Sequence, residues 1–185
     1  MNTGFVTAPV IDLGRVILRP DALTDFERFV EIWADPGVTR FIGGRPFTRS
    51  ESWSRFLRNA GLWPMLGYGY WAVIDKESGA YWGNAGFADF ERGIDAIAAI
   101  PEAGWALAPE AQGKGLASLI VGALVGWADA HLPHAETCCI IDPDNVASIR
   151  VAEKNGFRPG MVADYAGSQV RVFSRPRTQA AALVG

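Results

Sequence analysis

Cysteine is nearly absent from this chain of 185 residues: only Cys138 and Cys139 occur, and they are adjacent. Neighbouring thiols make neither a disulfide framework nor a Cys-x-x-Cys metal spacing, and both read as buried strand thiols. Histidine is as scarce. His131 and His134 flank Pro133 with no third ligand apparent, so no metal is expected. A positive surplus is missing too. With 17 Lys and Arg against 20 Asp and Glu, the net charge is -3, which removes the electrostatic case for nucleic acid as a partner. The most apolar run, Leu116 to Ala128, is broken by Ser118, Gly122 and Gly126 and falls short of the roughly 20 residues that span a bilayer. Met1 to Arg15 lacks the basic stretch and apolar core of a signal peptide. A cytoplasmic location without a membrane partner is the expectation.

Aromatic and apolar residues are plentiful. The chain is 49% hydrophobic, with 7 Trp and 10 Phe, ample for a packed interior and unlike a disordered chain. Its length is near that of one domain. We expect an N-terminal extension over 1–14, a single domain over 15–176 and a C-terminal tail over 177–185.

Period and punctuation give the order of elements. Val16 to Leu18 is a short strand stopped by Pro20, and Asp21 and Thr24 are N-cap candidates for a helix with Phe26, Phe29, Val30 and Trp33 on one side. Asp35-Pro36-Gly37 ends it. Ser50 is a cap candidate for a second helix, carrying Trp53, Phe56 and Leu57 and running to Asn59 or Gly61. Tyr68 to Ile74, Tyr81 to Phe90 and Ile97 to Ala108 read as antiparallel strands. Helical period returns after Gly115, with both faces apolar enough to predict burial on most sides. Thr137 to Ile141 is a strand, Asn145 to Asn155 a helix closed by Gly156, and Phe157 to Ala163 with Gln169 to Ser174 a closing pair. This order predicts an α/β (α+β) fold with a mixed sheet flanked by helices.

One segment carries chemistry. Gly104-Trp105-Ala106-Leu107-Ala108-Pro109-Glu110-Ala111-Gln112-Gly113-Lys114-Gly115-Leu116-Ala117 runs from a strand through a glycine turn straight into the apolar helix. Such a junction collects free backbone N–H groups and a positive helix end, a seat for a pyrophosphate. A Walker A loop is excluded, because Lys114 is followed by Gly115 and not by Ser or Thr. A dinucleotide fingerprint fits poorly: its sixth position is Ser118 and the preceding strands read as antiparallel.

Gln112-x-x-Gly115-x-Ala117 does match the acyl-CoA loop Gln/Arg-x-x-Gly-x-Gly/Ala. In this loop, in Pro109-Glu110, in Glu102-x-Gly104-Trp105, and in Asn145-x-x-Ser148 followed by Lys154-Asn155-Gly156-Phe157, the chain resembles the GNAT superfamily of acetyl-CoA-dependent N-acetyltransferases. The resemblance spans about Arg15 to Phe173 and is greatest to the branch of the ribosomal-protein N-terminal acetyltransferases (RimJ/RimL-like). It implies a GNAT fold, with a mostly antiparallel sheet in which two parallel strands, about Glu102 to Ala108 and Thr137 to Ile141, splay apart to admit acetyl-CoA. It further implies that Gln112, Gly113, Lys114, Gly115, Leu116 and Ala117 hold the pyrophosphate, that Trp105, Ala106, Leu107 and Ala108 run beside the pantetheine arm, and that Asn145 contacts that arm. Asn145 also reads as a plain N-cap.

The implied reaction is direct attack of a primary amine, of a protein N-terminus or a small molecule, on the thioester. It needs a proton acceptor for the amine and a donor to the thiolate. Glu102 matches the family's acidic strand position and is expected to act as base through water, against the alternative of a solvated carboxylate at a strand end. The family's tyrosine acid is missing, since its position holds Ala152. Ser148 is expected to donate to the sulfur, against the alternative of a cap serine. In relatives the connection between the first two helices walls the acceptor site; here Arg40, Gly43, Gly44 and Arg45 make it flexible and basic. A non-catalytic CoA-binding module is the second reading and a nucleotide-dependent oxidoreductase the third. The apolar helix suits a homodimer and burial within a monomer equally.

Overall fold

The computed structural model describes residues 6–178, which form two compact units. One holds the residues up to Ala88 together with Gly104–Ala117, the other Asp89–Ala103 together with the residues from Ser118 on. Of the expected extension and tail, residues 1–5 and 179–185 lie outside the described residues.

In the first unit β1 (Ile11–Asp12), β2 (Val16–Arg19), β3 (Tyr70–Asp75) and β4 (Tyr81–Ala88) pair antiparallel in chain order. The later residues of β5 (Glu102–Leu107) lie beside β4, and the Ala108 amide donates to the Trp82 carbonyl at 2.8 Å. Three helices pack on this sheet: α1 (Phe26–Trp33), α2 (Pro36–Thr39) and α3 (Arg49–Leu66). Phe26, Phe29, Ile32 and Trp33 of α1 and Phe56 of α3 share a core with Ala72, Ile74, Tyr81, Ala106 and Ala108. Each large side chain buried there contributes about 1.5–3 kcal/mol.

The helix ends differ from expectation. Neither Asp21 nor Thr24 caps α1; a 3-10 turn over Leu23–Asp25 leads into it, and the Asp25 carboxylate takes the Ala22 amide and the Arg19 guanidinium. Asp35 begins α2 as its cap, accepting from the Gly37 and Val38 amides. Thr48, not Ser50, caps α3 through a reciprocal pair with Glu51. That helix also continues past Asn59 and Gly61 through Pro64. Burial of Leu62 and Trp63, about 1.5–3 kcal/mol each, offsets the costs of Gly61 and Pro64, about 1 and 3 kcal/mol.

In the second unit β6 (Glu136–Ile141), β7 (Arg158–Tyr165) and β8 (Ser168–Pro176) are ordered β6-β8-β7, both pairs antiparallel. Ala166 and Gly167, at φ 50 and 82, turn β7 into β8, the two-residue geometry that suits a twisted hairpin. Glu102 at the start of β5 pairs in parallel with Cys138 of β6. Most of α4 (Leu116–His131) and all of α5 (Val146–Lys154) belong here. Asp129 of α4 takes both terminal nitrogens of Arg175 on β8, at 2.8 and 2.7 Å.

Two expectations are corrected in this unit. Residues 97–101 are not strand: Asp95–Ile97 is a 3-10 turn that buries Ile94 and Ile97 against Cys138 and Val172. On α4, Leu116, Ile120, Val121, Leu124, Val125 and Ala128 are buried, but Leu119 is 44% exposed. The strands give the expected mixed, mostly antiparallel arrangement, with β5 and β6 the one parallel pair among the described residues. No helix of the described residues is long and apolar enough to cross a membrane.

Candidate functional site

The strand-to-helix junction lies in the first unit. After β5 a 3-10 turn, Pro109–Ala111, precedes Gln112, and α4 starts at Leu116. Ala111 and Leu116 are buried, fastening both ends of a loop that is exposed between them. Gln112 turns its side chain back, and its Nε2 donates to the Leu107 carbonyl at 2.8 Å. Gly113 and Gly115 have φ of 71 and 75, the left-handed region that only glycine enters without strain. A Cβ at either would meet no protein atom within 4 Å. Backbone conformation, not crowding, therefore demands glycine here, and the space above the loop is open.

This donor set fits a pyrophosphate. The first amides of α4 have no intrahelical partner and lie at the positive end of the helix. Lys114 stands over the Trp82 ring at 5.7 Å, and residues 112–117 contain no carboxylate. Glu110, just before them, is tied by an ion pair to Arg28. On β5, Gly104 is held to glycine by the Tyr70 hydroxyl, which occupies the place a Cβ would take. Ala106, Leu107 and Ala108 are buried, and Trp105 is half-buried.

Glu102, Asn145 and Ser148 lie in the second unit. Glu102 is no solvated carboxylate: it is 5% exposed. Arg92 donates to both its oxygens, from Nε to Oε2 at 2.5 Å and from Nη2 to Oε1 at 2.7 Å. Arg92 in turn lies over the rings of Phe90 and Tyr165, at 4.5 and 4.6 Å. Burial works against its charge, but the bonds and charge of Glu102 outweigh it and hold the guanidinium above its ordinary value. Arg92 and Glu102, with Asp89 and Asp95, line a cavity of about 160 Å³.

Asn145 caps α5, its Oδ1 accepting the Ser148 amide at 3.1 Å. Among the described residues its Nδ2 has no partner, nor has the half-buried Ser148 hydroxyl. Ala152 is fully buried, so the position of the missing tyrosine is core. Cys138 and Cys139 are buried on β6, and burial pushes both thiols up. Neither is poised as a nucleophile. His131 stacks on Trp127 at 5.0 Å and bonds its carbonyl. No group of three His, Cys, Asp or Glu among the described residues could hold a metal ion.

Sequence reasoning missed two arginines that the structure seats on aromatic rings, of which Arg92 bears on the site. Arg92 sits in a stretch that reads as turn, and nothing in its local pattern marks a partner ten residues on. Arg55 was equally silent, yet its guanidinium lies 4.0 Å from the Trp33 ring and 5.1 Å from Phe47. In the basic connection, Arg45 is bonded to Glu51.

Comparison with known proteins extends these observations. A family profile described as an acetyltransferase (GNAT) domain matches residues 15–158. The chain is similar to the uncharacterized N-acetyltransferase p20 of Bacillus licheniformis, 26% identical over 161 residues that cover 86% of this chain and 88% of that protein. A GnaT-family acetyltransferase from Bordetella pertussis superposes with a TM-score of 0.80 at 28% identity, over 91% of this chain and 99% of the other. A phosphinothricin acetyltransferase from Sinorhizobium meliloti, solved in complex with acetyl-CoA, shares the fold with a TM-score of 0.68 at 24% identity, over 91% of each.

Proposed function

Since this chain belongs to the GNAT acetyltransferase family, we propose that it transfers an acetyl group from acetyl-CoA to a primary amine, of a protein N-terminus or a small molecule, by direct attack on the thioester. The observation that carries the reading is the 112–117 turn, where two left-handed glycines present exposed amides at the start of an apolar helix. Bound acetyl-CoA supplies an acetyl group activated as a thioester. Gln112, Gly113, Gly115, Leu116 and Ala117 offer the phosphates backbone amides, and Lys114 offers its ammonium. Trp105, Ala106, Leu107 and Ala108 offer strand backbone to the cofactor arm, and the Asn145 amide adds a side-chain donor.

Glu102 takes the amine's proton through water. The Ser148 hydroxyl, half-buried and without a partner among the described residues, donates to the departing sulfur and does the work that a tyrosine at position 152 would do. No metal enters this chemistry. The RimJ/RimL-like branch is the finer assignment, supported by Glu102-x-Gly104-Trp105 and by Ser148 paired with Ala152. We assign residues 15–176 to one acetyltransferase domain working in the cytoplasm.

The competing reading is a CoA-binding module without turnover. It draws on the buried Ala152 and on the ion pair that already engages both oxygens of Glu102. One experiment separates the two. Thermal stabilisation by acetyl-CoA but not by NAD or ATP, followed by thiol release with an amine panel and with ribosomal protein, is the expected result. Stabilisation without release across the panel would sustain the module, and stabilisation by NAD alone would sink both.

A further inference from the structure

We propose that Arg92 is a positioning residue: its guanidinium holds Glu102 as an ionised, oriented carboxylate at the wall of the cavity both residues line, so that Glu102 can receive the acceptor's proton through water. This assignment rests on the acetyl-transfer reading and adds to it a residue outside the family's motifs.

A carboxylate that is 5% exposed persists as an anion only with a cation bonded to it. Arg92 meets that need with a fork, Nε to one oxygen and Nη2 to the other. Two parallel bonds fix the plane of the carboxylate as well as its charge, which an ammonium cannot do. A carboxylate oxygen can accept more than one hydrogen bond, and the cavity of about 160 Å³ has room for water at ~30 Å³ a molecule. The guanidinium is itself clamped by the Phe90 and Tyr165 rings, so the orientation passes from two aromatic walls through Arg92 to Glu102.

Other charged and titratable groups face the pair. Asp89, Glu91 and Asp95 come from the same connection, Cys138 from β6 and Tyr165 from β7. Burial keeps the Cys138 thiol protonated, so β6 brings no thiolate to the carboxylate. In the proposed step the amine nitrogen bonds the acetyl carbon and the carbon–sulfur bond breaks, its electron pair going to sulfur. The amine's proton passes through water to Glu102 and then to solvent, while the departing thiolate is protonated by the Ser148 hydroxyl, which regains its proton from solvent.

A purely structural ion pair would fasten residues 89–101 to β5 and nothing more. The test is steady-state transfer from acetyl-CoA to the best acceptor of the amine panel, over about pH 5.5 to 9.5, with folding checked by circular dichroism. Glu102→Gln is expected to lose about 100-fold in kcat. Arg92→Lys keeps the charge and loses the fork; its kcat is expected to fall about tenfold while KM for acetyl-CoA stays within about twofold. Relative to wild type at the same pH, which itself rises as the acceptor amine loses its proton, Arg92→Met is expected to be least active near neutrality and to regain part of the difference in alkali. Combining Arg92→Met with Glu102→Gln should remove that relative gain and cost nothing beyond Glu102→Gln alone.

Wild-type kcat in Arg92→Lys, or an Arg92→Met profile parallel to wild type at every pH, overturns the assignment. Should Arg92→Met not fold, Arg92→Lys and the double variant decide it, the latter because it removes both members of the pair. A wild type that binds acetyl-CoA and acetylates nothing overturns the transfer reading itself, an outcome seen before any variant is made.

Discussion

Replacing Gly115 by alanine tests the cofactor seat most directly. The residue sits at φ 75, and a Cβ there would meet no protein atom within 4 Å. The variant therefore pays only for left-handed backbone, about 1–2 kcal/mol, with no packing penalty. At about 2–4 °C per kcal/mol for a chain of this size, Tm should fall by less than about 8 °C and the fold should survive. Binding should suffer more, because the new methyl enters the open space above the loop and disturbs the amide array. In wild type, acetyl-CoA at a hundred times its Kd should add about 2.7 kcal/mol of stability. A tenfold loss of affinity cuts that gain to about 1.4 kcal/mol, so the thermal shift at the same ligand concentration should fall by about half. Gly167→Ala is the control, since Gly167 has φ 82, equally open space, and lies in the β7–β8 turn. It should lose similar stability and keep the full acetyl-CoA shift. If Gly115→Ala retains wild-type affinity, the 112–117 loop is not the pyrophosphate seat and the reading built on it fails.

Ser148→Ala should lower kcat about tenfold with little change in KM for acetyl-CoA, because the bond Ser148 makes to Asn145 uses its backbone amide and survives; full turnover would remove the serine from the mechanism. Asp21→Asn should stabilise the protein more at about pH 8 than at about pH 5, by a few kcal/mol at most. Burial, and then the charge of Asp25, push the Asp21 carboxyl from 3.8 up to about 7 against the pull of Arg19, and its Oδ1 has no partner. Between those two values the folded chain keeps a proton that the unfolded chain releases, so its contribution to stability falls as pH rises through the window. Urea unfolding of both proteins at the two pH values measures the difference, and an equal gain at both would contradict it.

Much of the fold was legible because its determinants are local. Periodicity placed α4, β6, α5 and the closing hairpin within a residue or two, since each is set by its own run of apolar and turn residues, although Leu119 on α4 and Met161 and Val162 on β7 are exposed. Where local signals compete, the sequence misled. Gly61 and Pro64 are helix breakers by propensity, yet α3 runs through both because Leu62 and Trp63 find a core that no local rule reveals. Ile97 and Ile100 are β-branched and head a run that reads as strand, but burial of Ile94 and Ile97 against β6 and β8 residues favours a 3-10 turn. In both cases tertiary burial outweighed a weak propensity.

The candidate site divides along the same line. The 112–117 loop was legible since its requirement is written in contiguous residues: positive φ needs glycine, and the amides come with the helix that follows. Gly113 and Gly115 are demanded by backbone conformation, and the space above them is free of protein atoms. Glu102 was legible as a position but not as a chemical state. Its burial and its fork to Arg92 depend on how the connection over residues 89–101 folds back over the strand it leads into, and no spacing rule encodes that path. The consequence is chemical. A carboxylate bonded at both oxygens is a weak base held in a fixed direction, so its usefulness to an amine lies in where it places one water more than in how strongly it pulls a proton. That is why the variant expected to separate the readings most sharply is Arg92→Lys, which keeps the charge on the cation and releases the direction of the anion.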